Sequence, residues 1–286
     1  MLTLDINKYK SISEKFRDTY KQSLLDAIND KKSDLGLFGD ILDEIFLDKL
    51  LLYTPKKQKQ LIKIALKKYT NLSDKNSKMI EALKYIFIEQ GYEKIDKKAF
   101  YNDMDIVSCI YCNRNYIFNL DENGHIKGHI DHFYDKATYP FLAMSFYNLI
   151  PSCETCNKVK GSYNTYTNNS KNPYQRDDER VFKIKVKSSN TFEYELEDDD
   201  LMKKLYMQEI YNVGHKDILN DMYVKFYQEE TKAHFDILKN EFKSLDMSDD
   251  DIHRYLTCGY LDKDEFHKKT HSKLIKDISK ELELIK

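Results

Sequence analysis

Four of the five cysteines fall into two C-x-x-C pairs, Cys109-Ile110-Tyr111-Cys112 and Cys153-Glu154-Thr155-Cys156. Each such turn offers two sulfurs from one tight knuckle. Two knuckles supply the four tetrahedral ligands of a structural Zn²⁺. Buried free thiols, or one redox-active pair, are the alternatives the spacing leaves. A closed four-cysteine site keeps no open position, so it would pin two distant segments and do no chemistry itself. The stretch between and just after the pairs holds residues of another kind: Asp131 and His132 side by side, Asn148, and Asn157 next to the last cysteine. An imidazole titrates near neutral pH and can take a proton. The oxygens of Asp and Asn are hard ligands suited to Mg²⁺ or Mn²⁺. Cys258 has no partner in this pattern and reads as a small core residue.

The whole chain constrains what such a site can serve. Its 286 residues suffice for one large domain or two small ones, and 41% hydrophobic residues can build a core. A net charge of −2 excludes nucleic-acid binding by overall basicity, though not a local basic surface. With 8 Gly and 4 Pro the chain is neither low-complexity nor a loop-rich all-β protein. No run approaches a membrane span, and the N-terminal stretch has no apolar signal core. A cytoplasmic location is therefore expected, where thiols stay reduced and paired C-x-x-C units read as metal ligands.

The elements that must position these residues read as an α+β arrangement, mainly helical around a central zinc-bound module. Three regions are expected: a helical region over 1–100, the zinc-stapled module over 101–174, and a hairpin plus helices over 175–286. Their net charges are +5 for 1–100, −2 for 101–180 and −5 for 181–286. In the first region, spacing predicts a helix over 13–27, a buried apolar segment over 36–53, and a helix over about 56–70 opened by Pro55. That last helix carries Lys56, Lys57, Lys59, Lys63, Lys67 and Lys68, with no acid from Leu51 to Ser73. It is either a face that tracks phosphates or a solvated amphipathic face. A further helix is expected from Ser73, as cap, to Gln90. In the centre, residues 115–120 and 126–133 flank Asp-Glu-Asn-Gly, a hairpin signal. Residues 181–187 and 191–197 alternate as a second hairpin. Helices follow near 216–244 and 263–285. The acidic run Glu193–Asp200 would turn away from nucleic acid or toward a basic partner.

The order C-x-x-C, Asp131-His132, Asn148, C-x-x-C-Asn157-x-x-Lys160 resembles the HNH endonucleases of the ββα-metal type, over about residues 109–160. The resemblance implies a ββα-metal fold and metal-dependent hydrolysis of nucleic-acid phosphodiester bonds. His132 would be the general base that activates a water. Asp131 and Asn157 would hold the catalytic divalent ion, with Asn157 standing where many members have His. Asn148 would brace the loop that aims His132. Arg114, Lys158 and Lys160 would contact substrate phosphate, or merely solvate the knuckles. On a strand Asp131 and His132 point to opposite sides, so a distortion is expected at the strand end. DNA is the substrate the resemblance favours; RNA, including transfer RNA, is the alternative.

The wider runs Asp131-His132-Phe133-Tyr134-Asp135-Lys136 and Tyr147-Asn148-Leu149-Ile150-Pro151-Ser152-Cys153 resemble HNH nucleases of bacterial anti-phage systems, the Septu type and its retron-linked versions. That implies an ATPase partner and a role in antiviral defence. Other readings stay open. Asp131 and His132 are also compatible with an ordinary exposed pair, Asn148 with a turn cap, and Asn157 with a helix cap. A catalytically inert zinc module that binds nucleic acid or protein is the rival function.

Overall fold

The computed structural model describes residues 1–68, 77–118, 127–176, 181–188, 191–196, 200–226, 229–260 and 262–285. Helical periodicity in the first hundred residues becomes α1 (Lys10–Lys31), α2 (Leu37–Ile41), α3 (Glu44–Leu51), α4 (Pro55–Lys68), α5 (Lys78–Lys84) and α6 (Lys97–Met104). The apolar stretch 36–53 is two helices because Asp43 caps the second: its side chain accepts from Phe46 N at 2.7 Å. Pro55 opens α4, where a missing N–H costs nothing. The cap of α5 is Ser77, which accepts from Ile80 N. The expected cap Ser73 lies outside the described residues. Beyond α5 a turn of π-helix, Tyr85–Glu89, ends at Gly91. A Cβ on Gly91 would stand 2.6 Å from Met144 Cγ and 2.7 Å from Phe87 O, so only glycine fits there.

Then come β1 (Gly128–His132), β2 (Leu149–Cys153) and α7 (Glu154–Lys160). The two strands pair antiparallel, Gly128 opposite Cys153 and His132 opposite Leu149. The sheet partner of Gly128–His132 is thus the segment just before the second cysteine pair, a pairing the sequence did not indicate. Of the expected hairpin around Asp-Glu-Asn-Gly, Lys127 N donates to Phe118 O at 3.1 Å, while residues 119–126, the expected turn included, lie outside the described residues. A turn signal is local, whereas the β1–β2 pairing joins two segments buried in the core.

One compact unit comprises Leu4–Ile106 and Ile117–Arg176. Phe16, Phe100, Phe146, Tyr147 and Tyr174 interlock in its core as tilted and edge-to-face rings. The N-terminal helices and the two strands therefore share one core.

The other unit comprises Met1–Thr3, Val107–Tyr116 and Asp177–Lys286. Its hairpin is β3 (Phe182–Ser188) with β4 (Thr191–Leu196), paired antiparallel as the alternation predicted. Phe182 and Tyr194 pack on Tyr211, while Lys185 and Lys187 pair with Glu195 and Glu193 on the wet face. The helices are α8 (Asp200–Lys204), α9 (Met207–Gly214), α10 (Lys216–Phe226), α11 (Glu229–Ser244), α12 (Asp249–Thr257) and α13 (Ser272–Glu281). Helix α13 lies on β3: Asp277 Oδ2 accepts from Val181 N and Phe182 N, and Lys273 Nζ meets its Oδ1 at 3.0 Å. Cys258 ends α12 in a left-handed conformation and is exposed, which corrects its assignment to the core. Among the described residues, no helix is long and apolar enough to cross a membrane.

His253 on α12 is buried, with Nε2 2.9 Å from Ser279 Oγ. Burial lowers its pKa to about 4 from an ordinary 6.5. A histidine held neutral in the fold but protonated when unfolded contributes stability that is complete above its unfolded pKa. That contribution drains away between pH 6.5 and about 4. Urea unfolding across this window should show a falling free energy in wild type and a flatter profile in His253→Gln. Parallel profiles would reject the assignment.

Candidate metal and hydrolytic site

Two tyrosines hold the backbone of strand β1. Tyr101 Oη donates to His129 O at 2.8 Å and Tyr92 Oη to Ile130 O at 2.7 Å. Gly128 is required because a Cβ there would collide with the Tyr101 phenol. The ladder to β2 runs regularly through Asp131 and His132, without the distortion expected from sequence. The two side chains accordingly serve opposite sides of the strand. Asp131 meets α7, and His132 meets Tyr92 and the loop that returns to β2.

His132 is 5% exposed, and its Nε2 lies 3.0 Å from Ala143 O. A carbonyl only accepts, so Nε2 carries the hydrogen and the neutral ring leaves its lone pair on Nδ1. The Tyr92 ring packs on the imidazole at 4.4 Å between centroids, and the Lys136 ammonium lies 4.0 Å from the Tyr92 ring centroid. Burial first, then the positive charge of Lys136, pushes His132 down to about 3, against the pull of the Ala143 bond. Burial and the Asp131 carboxylate push the Tyr92 phenol up to about 12.

Asp131 is 6% exposed and Lys160, at the end of α7, is 1% exposed. Lys160 Nζ reaches Asp131 Oδ2 at 3.0 Å and Oδ1 at 3.3 Å, and donates to His132 O at 2.7 Å. Lys160 is thus a buried partner of β1, a role outside the two the sequence left open, a phosphate contact or a solvated knuckle. A helix bringing a lysine back over a strand cannot be read from the chain order. Gly161, at φ 49°, then turns the chain out of α7.

Asn148 is fully buried just before β2. Its Oδ1 accepts from Tyr134 N at 2.7 Å, and its Nδ2 donates to Tyr134 O at 3.1 Å and Leu142 O at 3.0 Å. Its backbone O accepts from Phe133 N. These bonds clamp both arms of the loop that carries Ala143 to His132. Asn157 is half-buried midway along α7. Lys158 is exposed and ion-paired with Glu154 one turn earlier. Arg114 is placed with Tyr211, His215 and His271. Tyr92, Tyr101, Lys136 and the Ala143 carbonyl escaped the sequence reading. Backbone acceptors have no sequence signature, and both tyrosines lie far upstream among 22 of their kind.

The Sγ atoms of Cys109, Cys112, Cys153 and Cys156 lie within 4.8 Å of one another, all buried. Backbone N–H groups already point at two of them, Arg114 N at Cys112 Sγ and Cys156 N at Cys153 Sγ. Four thiolates with Zn–S bonds of about 2.3 Å require sulfurs roughly this close, so the set can hold a metal ion such as zinc. Asp131 offers a different kind of donor, the hard oxygens of a carboxylate.

A mixed α/β chain with four buried cysteines able to hold a metal ion is the class these observations define. Over 63 residues it is 36% identical to the Septu protein PtuB of Bacillus thuringiensis. That match covers 22% of this chain and 23% of that protein, so most of each lies outside it. No family model matches the chain, and no solved structure does.

Replacing Lys160 with Met strands a buried carboxylate and the His132 carbonyl. We expect a loss of about 3–5 kcal/mol in urea unfolding, largely recovered when Asp131→Leu is added. A single-variant loss below about 1 kcal/mol would mean the pair is no stronger than a surface one. Metal analysis of the purified chain should find a single zinc ion, lost in Cys112→Ser and in Cys156→Ser together with a lowered Tm. Full zinc retention in both variants would refute the four-cysteine site.

Proposed function

We propose that the chain is a metal-dependent endonuclease of the HNH type, hydrolysing nucleic-acid phosphodiester bonds, with DNA as the primary substrate and RNA as the alternative. The observation that carries the reading is the sequence of elements at the site: strand, returning loop, strand and helix. His132 sits on the first strand with Nε2 tied to a backbone carbonyl. Fixing the hydrogen on Nε2 frees Nδ1 to accept a proton from water, as a general base must. At about 3 the buried imidazole is unprotonated but weakly basic, and an approaching phosphate anion raises its basicity. Asn148 keeps this aim by fixing the loop.

Asp131 and Asn157 would hold a Mg²⁺ or Mn²⁺ ion that would neutralise charge at the leaving oxygen. Because Asp131 and His132 leave β1 on opposite sides, this requires the strand end to rearrange when substrate binds. The Asp131 carboxylate that would serve as ligand is ion-paired with Lys160. The four-cysteine cluster, having no open position once filled, is structural. The partial likeness to the Septu protein supports a place in antiviral defence, and with it an ATPase partner.

The test is plasmid nicking with Mg²⁺ or Mn²⁺, with single-stranded DNA and total RNA in parallel, comparing wild type with His132→Ala. Cleavage should drop by about 100-fold or more in the variant, the scale on which positioned general bases act, with zinc content unchanged. Equal cleavage by both would remove His132 from the chemistry. Inactivity of wild type on every substrate, with the candidate ATPase added, would favour the inert zinc module.

A further inference from the structure

The unit containing Val107–Tyr116 and the C-terminal helices carries a cluster of donors that the hydrolytic site does not use. Helices α10 and α13 each begin at a histidine. His215 precedes Lys216, the first residue of α10, and His271 is the N-cap of α13. The imidazoles lie together, with ring centroids 4.5 Å apart, and both pack on the Tyr211 ring. Asn113 fixes the arrangement. Its backbone O accepts from His271 N at 2.6 Å and its Oδ1 from Lys273 N at 3.1 Å. Its Nδ2 donates to Ser108 Oγ, Phe266 O and Lys269 O. Arg114 follows directly in the chain, near enough for its charge to disfavour protonation of both histidines.

His215 Nε2, His271 Nε2 and Arg114 Nε are all buried with no hydrogen-bond partner. A guanidinium N–H can only donate, and each imidazole can present an N–H. Buried donors left unmade are costly, and this unit gathers three of them in one place. We propose that Arg114, His215 and His271 form a binding site for a phosphate-type oxyanion. Two helix N-termini reinforce the preference, because their backbone N–H groups and dipoles favour negative charge. The same dipoles and the guanidinium repel a metal cation, the other ligand a histidine pair could take. Asp217, exposed on the first turn of α10, is the acidic group that acts on both imidazoles. It offsets part of the positive charge and occupies none of the three donors.

The same chemistry is presented by a free phosphate and by a nucleic-acid backbone, and a titration separates them. The full-length zinc-loaded chain is titrated with inorganic phosphate, and separately with a short oligonucleotide lacking terminal phosphates. The ring resonances of His215 and His271 are followed by NMR. Phosphate should shift both. Arg114→Gln and His271→Asn should each weaken binding about tenfold or more, the value of a charge-assisted hydrogen bond. Asn tolerates the left-handed backbone of His271, at φ 64°, so zinc content and Tm should hold. Shifts with phosphate alone identify a free-phosphate site, and shifts with the oligonucleotide as well identify a backbone contact. Unmoved resonances in both arms, or undiminished affinity in the two variants, would overturn the proposal.

Discussion

Residues 133–148 form an irregular segment that is largely buried, and that is the constraint on which the rest of its unit depends. A buried loop must satisfy its backbone groups without water or a ladder. Asn148 does much of this with one side chain, serving both polar groups of Tyr134 and the carbonyl of Leu142. Thr165 Oγ1 takes the carbonyl of Phe133, and Gln58 and Leu50 share Ser145 Oγ. Only with the loop so fixed does the Ala143 carbonyl stand where His132 can donate to it. The tautomer of the histidine is thus a consequence of how a loop is buried.

Both units solve a second problem in one way. Each anchors a C-terminal helix to a strand by a buried lysine–aspartate pair that also bonds the strand's backbone. In one, Lys160 of α7 meets Asp131 and the His132 carbonyl. In the other, Lys273 meets Asp277, whose carboxylate accepts from Val181 N and Phe182 N. A buried ion pair is a poor source of net stability, because desolvation consumes most of the Coulomb gain. Its alternatives are worse: removing one partner leaves a bare charge. The pairs therefore act chiefly as register devices, setting which helix face meets which strand residue.

What was legible in the sequence follows the range of the forces involved. Helices with clean periodicity, such as α1 and α4, and the alternating β3–β4 hairpin were readable because their determinants are local. The cysteine pairs were readable because metal ligands have few substitutes. The pairing of β1 with β2 was not readable because a turn signal is local while strand pairing answers to the core. Cys258 was misread because a left-handed helix end, not packing, placed it. The Lys160–Asp131 contact and the Tyr92–His132 stack were invisible, since each joins residues whose separation in sequence says nothing about their contact.

A chain with net charge −2 can serve an anionic substrate only if its charge is segregated. Helix α4 meets that need. Lys56, Lys57, Lys59, Lys63, Lys67 and Lys68 are exposed, while Gln58, Leu61, Ile62 and Ala65 are buried. The buried side is latched to the central loop, since Gln58 Nε2 donates to Ser145 Oγ at 2.9 Å, two residues beyond Ala143. If those lysines track phosphates by counterion release, a polyanion bound there would rest on a helix fastened to the loop that orients His132; if they are a solvated face, the same latch serves only to hold that loop.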